Sequence, residues 1–551
     1  MDQVGAAGDN AAMESFFALL QKNALDRKRW RNLRRAADCG HHLDRADLSP
    51  TSKAGPIDPH RIRDDHEPGR GPRGLTPQLS RNRGAGETVT DKDVSADDES
   101  SRSRLRRGTS LGGVAAKHAV RVAATSATAR FKSSEEVASA RDQAALRLAD
   151  DLVAVLGGMR GAAHKLGQVI AMIDVGLATR DTRDEFSRRL EPLFSVAPPW
   201  NDRAMKRVLE KSLGARFSQI AHLEGPIAAA SIGQVYRARL SDGREVAVKV
   251  KYPDIDRMVA ADLKNLSLLT RVIGSHIRAA NPDEIVDEVV RQIRTELDFA
   301  AECANQQRFA ERFEGHPAFR IPGVVEEFCT DEVLVSEFVD GMDVKGASEL
   351  DAPDRDLIGE TIYRFYCGEM YGTGDFSADP HPGNVLILPD KTVAFLDFGL
   401  CVSLDARELK FEQDVFSALL RGDTGHAYQL VRDAGFIVDP DSLDAEQFAE
   451  YALASVGWHL HPGPQTITRA TARRAATAAV SPSGRYVGRM GRQRMVEGHG
   501  FGRRNELATC ALLGRLEATA PWSEISREIL GMRAPATPLG ESIAAWRLRS
   551  D

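Results

Sequence analysis

Asp379-Pro-His-Pro-Gly-Asn384 and, thirteen residues on, Asp397-Phe398-Gly399 set an acid, an amide and a second acid in the order D-x4-N…D-F-G. A carboxylate can orient or deprotonate an acceptor hydroxyl. An Asn and an Asp offer hard oxygen ligands of the kind magnesium takes while it bridges phosphate oxygens. Asp379 is therefore the candidate acid/base group, and Asn384 with Asp397 the candidate metal ligands. Apolar runs at 385–388 and 393–396 flank Pro389-Asp390-Lys391. That spacing predicts a short hairpin with Asn384 and Asp397 facing each other at its open end. A lone Asp-Phe-Gly would also suit a purely structural turn, but the upstream D-x4-N favours chemistry.

Such a site needs a cation on an earlier strand. Glu245-Val246-Ala247-Val248-Lys249-Val250 alternates like a half-buried strand and ends in V-A-V-K, close to the V-A-I-K of protein kinases. Lys249 is then the point charge for the α/β-phosphates. The strand-loop-strand before it is the place for a phosphate loop, and it reads Ala228, Ala229, Ala230, Ser231, Ile232, Gly233, Gln234, Val235. With Gly233 its only glycine, the alanine Cβ atoms restrict positive φ and stiffen it. The Ser231 hydroxyl could replace some backbone contacts. Alanine-rich runs more often start helices; the position just before V-A-V-K argues for a nucleotide loop. Glu302 sits in an uninterrupted helical pattern and is the candidate partner of Lys249. Residues 333–336 read as a strand leading to Glu337-Phe338-Val339-Asp340-Gly341. This resembles a kinase hinge, where adenine would bond the Glu337 carbonyl and the Val339 N–H. Ser336, small, gates a roomy pocket behind it.

With two further motifs, these residues resemble the UbiB/ADCK family of atypical, protein-kinase-like enzymes. That family also carries an alanine-rich loop. Lys165-Leu166-Gly167-Gln168 matches its K-x-G-Q, and Glu296-Leu-Asp298-Phe-Ala-Ala-Glu302 with Asn305 matches its E-L-D-[FY]-x-x-E-x-x-N. The motifs span roughly residues 115 to 530 in the family's order. The resemblance implies an α+β, bilobal protein-kinase-like fold with an N-terminal helical extension carrying K-x-G-Q, and ATP and Mg2+ as cofactors. It also implies that the Lys165, Gly167 and Gln168 helix packs into the cleft where protein kinases take a peptide. Glu296 and Asp298 would position that helix or contribute to metal. From the residues alone, Lys165 and Gln168 merely share one helical face, and Glu296 with Asp298 could be a solvated acidic turn. One departure is Ser377-Ala378-Asp379 where many members have His-Ala-Asp, so the histidine's support for the loop is missing.

After Gly399 no A-P-E follows; Leu400 to Asp405 lead into a helical pattern with Leu409, Phe411, Val415, Phe416 and Leu419. A peptide platform is absent from that reading. Three functions compete: an atypical kinase or ATPase acting on, or extracting, an isoprenoid or quinone-type lipid or precursor; a nucleotide-gated binding protein; and a protein kinase.

Composition bounds the rest. A net charge of −6 leaves no footprint for nucleic acid, so the expected partner is a small-molecule or lipid substrate. Six cysteines without C-x-x-C or zinc spacing read as free thiols in a reducing compartment. Residues 1–110 read as disordered and low-complexity, 111–215 as the helical extension, 216–340 and 341–535 as the two lobes, and 536–551 as a tail. The stretch 460–505, rich in Pro, Arg and Gly, reads as a loop-rich insertion. Residues 101–132 hold eight Lys or Arg and no acid, a patch for anionic headgroups or for solvent. No run of eighteen apolar residues and no signal peptide is seen, which predicts a cytoplasmic protein with peripheral membrane contact.

Overall fold

The structure, a computed structural model, describes residues 201–230, 232–260, 294–437, 439–441, 443–480 and 497–550, with isolated helical positions between 143 and 189. Lys165, Gly167, Gln168, Ser231 and the basic stretch 101–132 lie outside the described residues. So does nearly all of the expected N-terminal region and extension.

Helix α1 (Asp202–Leu213) is capped by Asn201, whose side chain accepts the Arg203 N–H, and buries Met205, Leu209 and Leu213 at four-residue spacing. It packs beside an antiparallel sheet of order β1-β2-β3-β5. Its strands are β1 (Ile220–Ala229), β2 (Gly233–Leu240), β3 (Glu245–Lys251) and β5 (Val333–Glu337). The alternation in β3 does what period two demands: Val246, Val248 and Val250 are buried, and Lys249 faces the other side. Between β3 and β5 the chain forms α2 (Phe299–Arg312) and the short β4 (Phe319–Arg320).

The second lobe carries β6 (Met342–Asp343), α3 (Ala352–Tyr363) with a buried π-turn at Arg364–Gly368, and β7 (Asp375–Ser377). The predicted hairpin is β8 (Val385–Ile387) and β9 (Val393–Phe395), paired Val385↔Phe395 and Ile387↔Val393. Lys391, at φ 69, closes its turn. With β4 and β6 it builds a second sheet of order β4-β9-β8-β6, while β7 pairs with β10 (Cys401–Ser403). Helices α4 (Ala406–Leu420), α5 (Thr424–Asp433) and α6 (Ala445–Val456) follow. Then come β11 (Gln465–Thr466), α7 (Arg469–Val480), α8 (Glu497–Leu516), β12 (Thr519–Ala520), α9 (Trp522–Ile529) and α10 (Pro538–Ser550). The core between the second sheet and helices α2, α3, α8 and α9 is aromatic. Phe365 stacks on Phe395 at 3.6 Å, and Phe309 meets Phe398 at 5.1 Å between ring centroids. The fold is mixed helix and sheet and kinase-like, as expected.

Two expectations are corrected. The stretch 460–505 is not loop-rich where it is described. Arg469–Val480 is alanine-rich, a strong helix former, and α7 packs on α6 and α8. Glycines of α8 do not break it, because they seat it: a Cβ on Gly502 would stand 3.2 Å from Met370 Sδ. Residues 538–550 are likewise a docked helix and not a loose tail, with Trp546 Nε1 donating to the Glu314 carbonyl at 3.1 Å.

Gly233 has a steric reason of its own. A Cβ there would lie 2.3 Å from the Val250 carbonyl oxygen, where β2 runs against β3. Gly233→Ala is expected to cost about 1–3 kcal/mol through overpacking. Urea denaturation should register the loss; unchanged stability would mean that the strands separate freely.

Candidate active site

Helix α2 sets the site. Its start is not the uninterrupted helix expected from the sequence: residues 294–296 are helical, Leu297 and Asp298 are not, and α2 begins anew at Phe299. The cause is Asp298, whose side chain accepts the Ala301 N–H at 2.9 Å and caps the new helix. Glu302 is thereby placed in the first turn of α2, 3% exposed, with its carboxylate 2.7 and 2.9 Å from Lys249 Nζ. Lys249 Nζ also lies 3.7 Å from Asp397 Oδ2 and 5.1 Å from the Phe299 ring centroid.

The same helix fastens the D-F-G turn. Asn305, three residues after Glu302, donates to the Phe398 carbonyl at 3.1 Å, and Phe309 packs on the Phe398 ring. Gly399 N–H bonds Asp397 Oδ1 at 2.9 Å, and a Cβ at Gly399 would crowd that oxygen at 3.3 Å. Farther along, Arg308 and Arg312 both reach Asp375 at the start of β7, and Arg312 also pairs with Glu369.

Burial disfavours the Lys249 ammonium, but the Glu302 and Asp397 charges outweigh it and hold its pKa above the ordinary lysine value. Burial pushes the Glu302 carboxyl up to about 7, with Asp397 adding to the rise and Lys249 opposing it. Glu296 lies close enough for its charge to act on both members of the pair. Because the folded value of Glu302 is above its ordinary 4.5, its contribution favours the fold below that pH and is lost as pH rises through about 7.

Across the hairpin mouth, Leu396 N–H donates to the Asn384 carbonyl at 3.0 Å, which sets the residue before Asp397 beside Asn384. Asn384 Nδ2 donates to Asp379 Oδ2 at 3.1 Å, orienting the amide. His381 turns back into its own loop, its Nδ1 accepting the Gly383 N–H. The Ser377 hydroxyl is buried without a hydrogen-bond partner among the described residues. The loop is held instead by β7–β10 pairing and by Ala378 N–H to the Leu400 carbonyl at 2.9 Å. Sequence reasoning missed Arg504 of α8, whose Nη2 lies 3.3 Å from Asp379 Oδ1. Nothing in the local sequence marked it. Cys401 is a packing residue; burial pushes its thiol up to about 12.

Among the described residues no group of three or more His, Cys, Asp or Glu forms a metal cage. The Asn384 amide oxygen and the Asp397 carboxylate nonetheless fit magnesium, which keeps waters and takes one or two protein oxygens plus phosphates. The alanine-rich loop is tighter than expected. Ala228 and Ala229 pair with Val235 and Gln234, and Ala230 N–H already donates to the Gly233 carbonyl at 2.8 Å. Ile232 and Gln234 are buried, so the part after residue 231 is strand. At the hinge, Glu337 N–H bonds the Gly323 carbonyl and Phe338 N–H the Glu245 carbonyl. Among the described residues no backbone carbonyl takes the Val339 N–H.

A five-part arrangement of strand lysine, helix glutamate, hinge, D-x4-N loop and D-F-G turn between two such lobes defines a protein-kinase-like domain. Residues 192–431 match the ABC1 atypical kinase-like domain. The chain is similar to the mitochondrial atypical kinase COQ8B of Rattus norvegicus, 30% identical over 292 residues that cover 52% of this chain and 54% of that protein. It is similar to the probable protein kinase UbiB of Aeromonas hydrophila, 29% identical over 307 residues, 53% of this chain and 56% of that one. Among solved structures, the Rv3197–erythromycin complex from Mycobacterium tuberculosis covers 70% of this chain and 95% of its own at 28% identity and TM-score 0.51. The chain spans about half the length of the curated relatives it matches. The chain therefore carries an ABC1 atypical kinase-like domain and is similar, over that region, to proteins of the UbiB/ADCK family. Among the described residues no helix is long and apolar enough to cross a membrane.

The Glu302 ionisation should be visible in solution. Nucleotide affinity is expected to weaken as pH falls through about 7, where Glu302 protonates and releases Lys249. In Glu302→Gln that inflection should vanish and affinity should stay at the low-pH level. An unchanged profile in the variant would assign the titration elsewhere.

Proposed function

We propose that this chain is an atypical kinase or ATPase that uses Mg-ATP to act on, or help extract, an isoprenoid or quinone-type lipid or its precursor at a membrane surface. One observation carries the catalytic part. Lys249 is held by Glu302 within 3.7 Å of Asp397, while Asp379 and Asn384 bond each other across the same mouth. In this reading Lys249 grips the α/β-phosphates and the Val339 N–H receives adenine. Asp379 orients the acceptor hydroxyl or water and takes its proton as the terminal phosphoryl passes to that oxygen and ADP departs. Magnesium on Asn384 and Asp397 would neutralise phosphate charge in the transition state. The lipid class rests on the family resemblance. The peripheral membrane contact rests on the basic residues 101–132.

The path from Gly399 through β10 to α4 is short, with no long activation segment between them, which disfavours a protein kinase. A second reading, a nucleotide-gated binding protein, is favoured by one detail. The Ala230 N–H is spent on Gly233 and is withdrawn from phosphate. The relative solved with erythromycin makes that macrolide a sensible ligand to include.

ATP hydrolysis by the purified chain, with and without anionic liposomes and a phenolic quinone-precursor mimic, separates the readings. Turnover should rise with lipid or phenol and fall at least about 100-fold in Asp397→Asn. Magnesium-dependent nucleotide binding without turnover in any condition, erythromycin included, would sink the enzyme reading and leave the binding protein.

A further inference from the structure

The acidic loop has no cation of its own. Between Arg364 and Lys391 the sequence contains no Lys or Arg, and His381 is folded back onto Gly383. A carboxylate that must accept a proton in a fixed direction is nevertheless gripped on both oxygens. Asn384 Nδ2 holds Oδ2 at 3.1 Å, from within the loop. Arg504 Nη2 stands 3.3 Å from Oδ1, from a helix 125 residues away in sequence. The Arg504 side chain is 9% exposed, while Asp379 keeps 37% and stays open to the cleft.

Helix α8 is built to deliver that guanidinium. Its Gly502 lets it close on Met370. On one side of Arg504, Arg503 bonds the Tyr371 hydroxyl and pairs with Glu412 and Glu506. On the other, Asn505 Nδ2 donates to the Tyr366 carbonyl at 2.7 Å. The residues before and after Arg504 are thus pinned to the segment just upstream of β7, so Arg504 has little freedom to leave Asp379. Residue 504 lies beyond the 192–431 span of the family match.

We propose that Arg504 is a positioning residue for Asp379: from outside the loop it holds one carboxylate oxygen in place while Asn384 holds the other, so that the carboxylate stays aimed at the acceptor. The proposal rests on Asp379 having the acceptor-orienting role assigned above. Among the described residues, the Asp379 carboxylate meets Arg504 from α8 and Asn384 from its own loop, while the His381 N–H holds the Asp379 main-chain carbonyl. Losing the guanidinium frees the Oδ1 side of the carboxylate, so its aim at the acceptor is lost while nucleotide binding is left alone.

The test is kcat and KM for ATP of turnover by wild type, Arg504→Met, Arg504→Lys, Asp379→Asn and the Asp379→Asn/Arg504→Met double variant in the full chain. Arg504→Met should lose about 10- to 100-fold in kcat with KM for ATP unchanged. Arg504→Lys should recover part of that loss. The double variant should be no slower than Asp379→Asn alone. Equal losses in both backgrounds, a rise in KM in place of the kcat loss, or kcat at the wild-type level would overturn the proposal. If Arg504→Met fails to fold, Arg504→Lys decides by the same kcat-against-KM criterion. Turnover in wild type that does not depend on Asp379 would instead overturn the function on which the proposal rests.

Discussion

A buried ammonium–carboxylate contact governs this structure. Taking Lys249 and Glu302 out of water costs several kcal/mol per ion, and their attraction offsets that only when the geometry is excellent. What holds the pair in place is therefore not the pair. It is the aromatic packing at the other end of the same helix, where Phe309 meets Phe398, Phe365 and Phe313 with essentially no exposure. Hydrophobic burial there fixes α2, and α2 fixes the charge. The site inherits its precision from the core.

That arrangement also links the lobes. Helix α2 touches β3 through Glu302, the D-F-G turn through Asn305 and β7 through Arg308 and Arg312. A protein kinase that switches by swinging this helix would have to break all of these at once. Here the turn after Gly399 enters β10 and then a helix closed by the Asp405–Glu408 capping box. No long segment is left to lever the helix out. The contacts of α2 with β3, the D-F-G turn and β7 are thus all in place together.

Much of this was legible in sequence because it is local or carries a charge that needs a partner. The hairpin followed from alternation and a turn, and Lys249 from a strand ending in a cation. The break before Phe299 was not legible, because an Asp three residues ahead of an Ala reads equally well as helix or as cap until the Ala301 N–H is seen to bond it. Gly233 was read as the one glycine of a stiffened nucleotide loop; its close approach to the Val250 carbonyl on the neighbouring strand shows only in the register. The Gly-rich composition of 460–505 was read as loop for a like reason: the contact made by Gly502 lies on another element.

The departure at Ser377 draws these points together. A buried hydroxyl without a partner adds nothing to the rigidity of the loop, and at this depth it costs free energy. The loop is nonetheless tightly held, by β7–β10 pairing on one side and by the Arg503–Asn505 stretch of α8 on the other. Support that one loop side chain might have supplied has been distributed to main-chain pairing and to a helix outside the 192–431 span. A fragment ending near residue 431 would therefore keep Lys249, Glu302, Asn384 and Asp397 but lose the helix that grips Asp379.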